Sequence, residues 1–390
     1  MGELPPKSIN YYGNPRAAPY LCGKFETYMT PRPFKFLLAL LFGAFFSLIS
    51  TRALAGEEGG TAKLDPAEVI MNHIKDSHEW HFFSIKKSDG SEIHATIPLP
   101  VILYSPQRGF SMFLSSAFEQ EGKEVAHNGY KLEGGKVVAV NEAGEPDEAV
   151  KVYDFSLTKN VIQMILALGV LCFLMVGIAK RYKKGEGVKT APTGWQNAIE
   201  PVITFVRDEV AKPNLGGQYK KYLPYLLTVF FFILINNIFG LVPGSANVTG
   251  NIAFTVVLGV ISFFVIILSS TKQFWGHIFW YPGVPLIVRV LIMLPVELLG
   301  VFTKPFALIV RLFANMVAGH IIILSFITLI FIFGSMSAVA GWGFSPLSIL
   351  FAVFIYLIEI LVAFIQAFIF TNLTAVFIGQ AAEGGHDEHH

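Results

Sequence analysis

Six charged or histidine side chains stand in two long runs that are otherwise apolar: Arg289, Glu297, Lys304, Arg311, His320 and Glu359. Glu297, Arg311 and His320 lie in one long hydrophobic run and Glu359 lies in the next. A charge near the centre of a bilayer costs at least about 2.5–3.5 kcal/mol on insertion scales, so each is a functional candidate by default. A carboxylate and an imidazole can exchange protons near physiological pH when burial and pairing shift them. A guanidinium, with a pKa above about 12, cannot release its proton. It is useless as a relay and effective as a fixed positive barrier. A continuous proton wire would short-circuit a membrane potential worth about 2.3 kcal/mol per charge per 100 mV. An arginine between two half-paths blocks that leak. It also draws the proton from an approaching carboxylic acid by stabilising the anion.

Spacing sharpens this reading. Glu297, Lys304 and Arg311 are seven residues apart, and at 100° per residue they fall within about 40° of one another, on one helical stripe. His320 lies nine residues past Arg311 and points to the opposite face. Glu359 and Gln366 are again seven apart and share a face. Folding the two runs into an antiparallel hairpin about residues 334–346 brings Arg311 level with Gln366 and His320 level with Glu359. The midpoint of both pairs falls near about residue 339, inside the turn. Structural ion pairing within a bundle is the competing reading of the set. Lys304 taken singly reads equally well as a snorkelling lysine.

The elements that must hold these residues are membrane spans. Of 390 residues, 53% are hydrophobic and only 15% charged, and the mean hydropathy is +0.55. Soluble domains carry roughly 25% charge. The net charge of +1 leaves no nucleic-acid footprint. Two cysteines in dissimilar segments, Cys22 and Cys172, exclude a disulfide framework or a cysteine zinc site. Asn160–Ala179 reads as a first span, closed by the basic cluster Lys180, Arg181, Lys183 and Lys184, which belongs on the cytoplasmic side. Gln196–Ala211 is too short and too charged to span. Its Ile199, Val202, Ile203, Val206 and Val210 recur at helical spacing, as in an amphipathic helix lying in the interface plane. Tyr222–Val242 is a second span, with Asn236 and Asn237 near its outer end, and Ile252–Ser269 a third. The run from Pro285 to Phe333 is either two spans with a buried turn or one steeply tilted helix. Gly334–Pro346 reads as a break, and Leu347–Gly379 as a second long run.

The front of the chain differs. Met29–Gly56 has the basic n-region, short apolar core and Ala53-Leu54-Ala55 cleavage site of a secretory signal peptide. Residues 1–55 are therefore read as an extension plus signal cleaved after Ala55, with Met1 or Met29 as the start. Residues 56–154 are read as a small, strand-containing extracytoplasmic region, in which His94–Tyr104 and Lys136–Val140 have strand character. His73, His78, His81 and His94 are closely spaced. Solvated or stacked histidines around Trp80 are the favoured reading, and no metal is assigned. Residues 381–390 are a polar tail.

Several motifs together resemble the membrane stator of rotary ATP synthases, the subunit a family. They are Leu294–Glu297, Thr303-Lys304-Pro305, Arg311–Met316 with Ala318-Gly319-His320, and Gln366–Phe370. The resemblance covers about residues 155–380. It implies an all-α polytopic membrane protein with five transmembrane helices and one in-plane helix, ending in a long tilted hairpin. It implies an extracytoplasmic N-terminus, a cytoplasmic C-terminus and a bacterial inner membrane. It implies a non-catalytic proton channel, with no cofactor, that serves the rotor ring of subunit c beside the peripheral-stalk subunit b in the synthase complex. Arg311 would face the ring carboxylate, with Asn315 and Gln366 as polar neighbours. His320 and Glu359 would line the inlet half-channel and Glu297 the cytoplasmic exit, with Lys304, Asn236 and Asn237 in support. Many bacterial members carry the acid first and the histidine second. Here the order is reversed, as in mitochondrial members. The long front region is a further departure.

Two other classes fit less well. A proton-coupled secondary transporter would show internal repeats and broken helices at a midplane site, and the sequence has neither. A membrane-embedded enzyme would need a chemistry-bearing motif, and there is no HExxH, Walker loop or dinucleotide motif.

Overall fold

The computed structural model describes residues 76–86, 92–120, 123–141, 144–147, 149–187, 194–242, 244–279 and 285–383. The expected signal peptide and cleavage site, the choice between Met1 and Met29, His73 and residues 384–390 lie outside the described residues. So do the side chains of His81 and His94.

The front region is built from short antiparallel pairings. Strand β1 (Glu79–Lys86) pairs with β2 (Glu92–Pro98). Strand β3 (Pro100–Ser105) lies between β4 (Gly109–Leu114) and β9 (Tyr153–Asp154). Two further hairpins are β5–β6 (Glu119–Gln120 with Lys123–Glu124) and β7–β8 (Tyr130–Glu133 with Lys136–Ala139). Alternation places Val101 and Leu103 of β3 inward, fully buried with Phe118, Tyr130 and Ala139.

From Lys159 onward the chain is helical. Helix α1 is Lys159–Lys183, with Lys180, Arg181 and Lys183 in its last turn. Helix α2 (Trp195–Phe205) passes through a wider π turn at 206–211 into the short α3 (Lys212–Leu215). Gly216, at φ +50°, ends that course. The apolar stripe Ile199, Val202, Ile203 and Val206 packs against the chain's own helices. Helix α4 (Tyr219–Leu241) is the centre of the bundle, with Leu226, Phe230 and Ile233 fully buried. Helix α5 is Ile252–Ser269 and α6 is Lys272–Phe279. A short α7 (Leu286–Val288) runs through a π turn at 289–293 into α8 (Leu294–Met336). Helix α9 is Ala338–Glu383. Among the described residues five helical segments are long and apolar enough to cross a membrane: 159–183, 195–241, 252–269, 286–336 and 338–382.

Two expectations are resolved or corrected. The 285–333 run holds no buried turn; it is one helical course of 51 residues. At 1.5 Å per residue that is about 77 Å, far longer than the roughly 30 Å hydrocarbon core. The break expected over 334–346 is confined to Ser337, the residue between α8 and α9. Ser337 is extended, and its Oγ accepts the Ala340 N–H at 3.1 Å as an N-cap. The Gly-rich composition there serves packing instead. A Cβ on Gly341 would sit 2.8 Å from the Gly334 Cα, so the two glycines let the helices close directly beyond the turn.

Candidate functional site

The hairpin of α8 and α9 holds one register from the turn to the His320–Glu359 pair. Phe333 stacks on Phe344 at 3.9 Å and Phe326 on Phe351 at 5.5 Å. His320 Nδ1 then meets Glu359 Oε1 at 2.9 Å. Near the other end Lys304 Nζ donates to Gln380 Oε1 at 3.0 Å and lies over the Phe377 ring.

The His320–Glu359 pair sits inside the bundle, with side chains 16% and 3% exposed. Gly319 makes the room, because a Cβ there would lie 2.8 Å from Glu359 Oε1. The second carboxylate oxygen, Oε2, is buried without a hydrogen-bond partner.

Arg311 and Asn315, one turn apart, occupy the opposite, exposed side of α8, while Leu308, Leu312 and Met316 face the core. Glu297 and Lys304 are exposed as well, continuing the stripe. Gln366 is buried at 3% exposure on α9. Among the described residues no hydrogen bond joins it to Arg311, although the hairpin register sets them level. Asn237 is fully buried, and its Nδ2 donates to the Ala363 carbonyl of α9 at 3.1 Å. Asn236 Nδ2 donates within its own helix to Phe232 O at 2.8 Å. Both asparagines leave Oδ1 buried and unpartnered.

Sequence reading missed three participants. Gln163 of α1 clamps the turn after α4, accepting from Ala246 N at 2.7 Å and donating to Ala246 O. The Tyr356 hydroxyl donates to the Leu241 carbonyl at 3.1 Å. Gly319 was legible as a motif letter but not as the floor under Glu359. The signals were a lone amide in the apolar run of α1 and a phenol one turn before Glu359.

In the front region, His78 Nε2 binds Asp154 Oδ2 at 2.7 Å, and Asp154 Oδ1 accepts Ser156 N at 2.9 Å. Partial burial pushes the Asp154 carboxyl up. The hydrogen bonds from His78 and Ser156 outweigh that and hold it below the ordinary carboxylate value.

These features define a mostly helical polytopic membrane protein with an ionisable pair buried inside its last helical hairpin and an arginine on the hairpin's open side. Residues 161–379 match the family described as ATP synthase A chain, and the chain belongs to that family. It is 46% identical over 246 residues to an ATP synthase subunit a from Chloroherpeton thalassium, covering 63% of this chain and 71% of the relative. Similarity to an ATP synthase subunit a 2 from Chlorobaculum tepidum is 40% over 308 residues, covering 77% of this chain and 86% of the relative. That alignment is too long for the membrane part alone and reaches into the front region. Residues 69–155 match a separate domain of unknown function, DUF8433.

Proposed function

We propose that this chain is the proton-channel stator of a rotary ATP synthase in a bacterial inner membrane. Two offset half-channels load and unload protons on the carboxylates of a ring of subunit c, beside subunit b. The observation that carries the reading is the division of labour on one helix. The proton-exchanging pair His320–Glu359 faces inward, bonded at 2.9 Å, while Arg311 stands on the uncovered side. The pair lies closer to the hairpin turn than Arg311 does and so lines the outer half-channel. The stripe of Arg311, Lys304 and Glu297 runs toward the cytoplasmic side, where Glu297 lines the exit. Asn315 and Gln366 flank the arginine, and Asn236 and Asn237 extend the polar lining.

The basic end of α1 is taken as cytoplasmic under the positive-inside rule, which leaves the front region outside and the C-terminus inside. Helix α2 and its π turn are read as the in-plane helix and 29–55 as a cleaved signal. This chain does no bond-making chemistry in the reading; its groups hold and pass protons. Arg311 cannot release its proton and so bars direct passage between the half-channels.

The experiment is Arg311→Ala in inverted membrane vesicles. ATP-driven proton pumping is expected to vanish while the complex still assembles. Normal coupled pumping in that variant would sink the proposal.

A further inference from the structure

The outer turn between α4 and α5 presents a physical problem, and its solution involves the front region. In a bilayer protein, irregular backbone at depth is tolerated only where its polar groups are satisfied by other protein groups or water. Here three carbonyls around that turn each receive a side-chain donor from a different element. Tyr356 of α9 donates to Leu241 O at 3.1 Å. Gln163 of α1 donates to Ala246 O. Trp80 of β1, 164 positions away in sequence, donates its indole Nε1–H to Gly244 O at 2.7 Å.

The indole is held on a fixed base. Two and three residues before β1 begins at Glu79, the chain caps α1. Ser77 O accepts Lys159 N at 3.1 Å and Asp76 Oδ1 accepts Asn160 N at 3.3 Å, satisfying two of the orphan donors at that helix end. The His78–Asp154 bond ties the same segment to β9. On the membrane side the turn leads into Asn247 and Thr249, which are buried. Tyr356 lies three residues before Glu359, about one helical turn toward the hairpin's outer end. Hydrogen bonds thus tie Trp80 and Tyr356 to the same turn, and Tyr356 stands one helical turn from Glu359, which binds His320.

We infer that the front region is a brace for the outer half-channel. Trp80 and Tyr356 act as positioning residues that seat the outer turn above Glu359 and so set the access of outside protons to it. This gives residues 69–155 a function, and it rests on the stator reading above.

The test uses the assembled complex with Trp80→Phe, which keeps the ring and removes only the donor, and separately Tyr356→Phe. Hydrogen exchange at amides 244–250 is expected to rise about five-fold, the effect of losing one hydrogen bond of typical net strength. Passive proton conduction through reconstituted complex should change in both variants, and the double variant should change no more than either alone, as for residues acting through one element. ATP hydrolysis and the yield of complex should hold. Unchanged exchange in Trp80→Phe overturns the inference, and so does faster exchange with unchanged conduction. Additive effects in the double variant overturn the shared route. Arg311→Ala decides the stator reading independently, so the two failures are distinguishable.

Discussion

Glu359 is held by three conditions at once: a partner at Nδ1 of His320, a floor of bare backbone at Gly319, and burial that leaves Oε2 unpartnered. Each makes a separate demand on the side chain. The glycine is the least forgiving, since a Cβ at Gly319 would come within 2.8 Å of Oε1. The carboxylate would then have to swing away from the imidazole. We expect Gly319→Ala to slow passive proton conduction through the complex by about ten-fold, the factor that about 1.4 kcal/mol of lost pairing corresponds to, with assembly unchanged. Conduction at the wild-type rate would show that the pair tolerates the displacement. His320→Ala removes the partner and leaves the carboxylate buried alone. Breaking a buried pair from one side costs about 3–5 kcal/mol. Lower thermal stability of the purified complex and slower pumping are expected together, measured by a melting curve and by vesicle acidification.

At the scale of elements, close backbone approach does the positioning. Gly379 of α9 lies against the Asn214 carbonyl of α3, and Asn214 Nδ2 also donates to Asn372 of α9 at 2.9 Å. Backbone cannot yield as a flexible side chain does. Overpacking of this kind typically costs about 1–3 kcal/mol, so Gly379→Ala should lower the melting temperature of the complex, read by differential scanning fluorimetry in detergent. The same elements mark what the sequence made legible. The pairing of His320 with Glu359 followed from index positions because an antiparallel hairpin is a one-dimensional object: once two helices fold back, depth is fixed by counting. The turn was placed correctly but drawn too wide by its own composition. Gly334, Gly341, Gly343 and Pro346 look like breakers, but in a membrane bundle small residues allow helices to touch, and the chain needs only Ser337 to reverse. The uncovered stripe of Glu297, Lys304 and Arg311 was equally legible from its heptad spacing. The contacts of Gln163 and Tyr356 were not, because each reaches backbone carbonyls far away in sequence.

At the scale of the whole chain, the front region meets the start of α1 at a base that contains a titratable group. Asp154 accepts from His78 and from Ser156 N, and Ser156 Oγ in turn accepts Ile102 N at 3.0 Å. Three residues after Ser156, α1 begins. Burial raises the Asp154 carboxyl, the hydrogen bonds lower it further, and the balance lies below the ordinary value. The sign follows from linkage. A carboxyl whose folded pKa is depressed adds stability that is fully present above its unfolded pKa of about 3.9 and is lost as pH falls through the lower folded value. The stabilisation is therefore constant at neutral pH and disappears in acid, below the ordinary carboxylate range. We expect the melting temperature of the purified full chain to be flat from pH 7 to 5 in this contribution and to fall more steeply below pH about 4 than that of Asp154→Asn. The amide variant keeps the shape and one acceptor but removes the titration, so its acid limb should be shallower. Identical limbs for the two proteins would mean that the base is held by the strands β3 and β9 alone, with Asp154 adding nothing that protonation can remove.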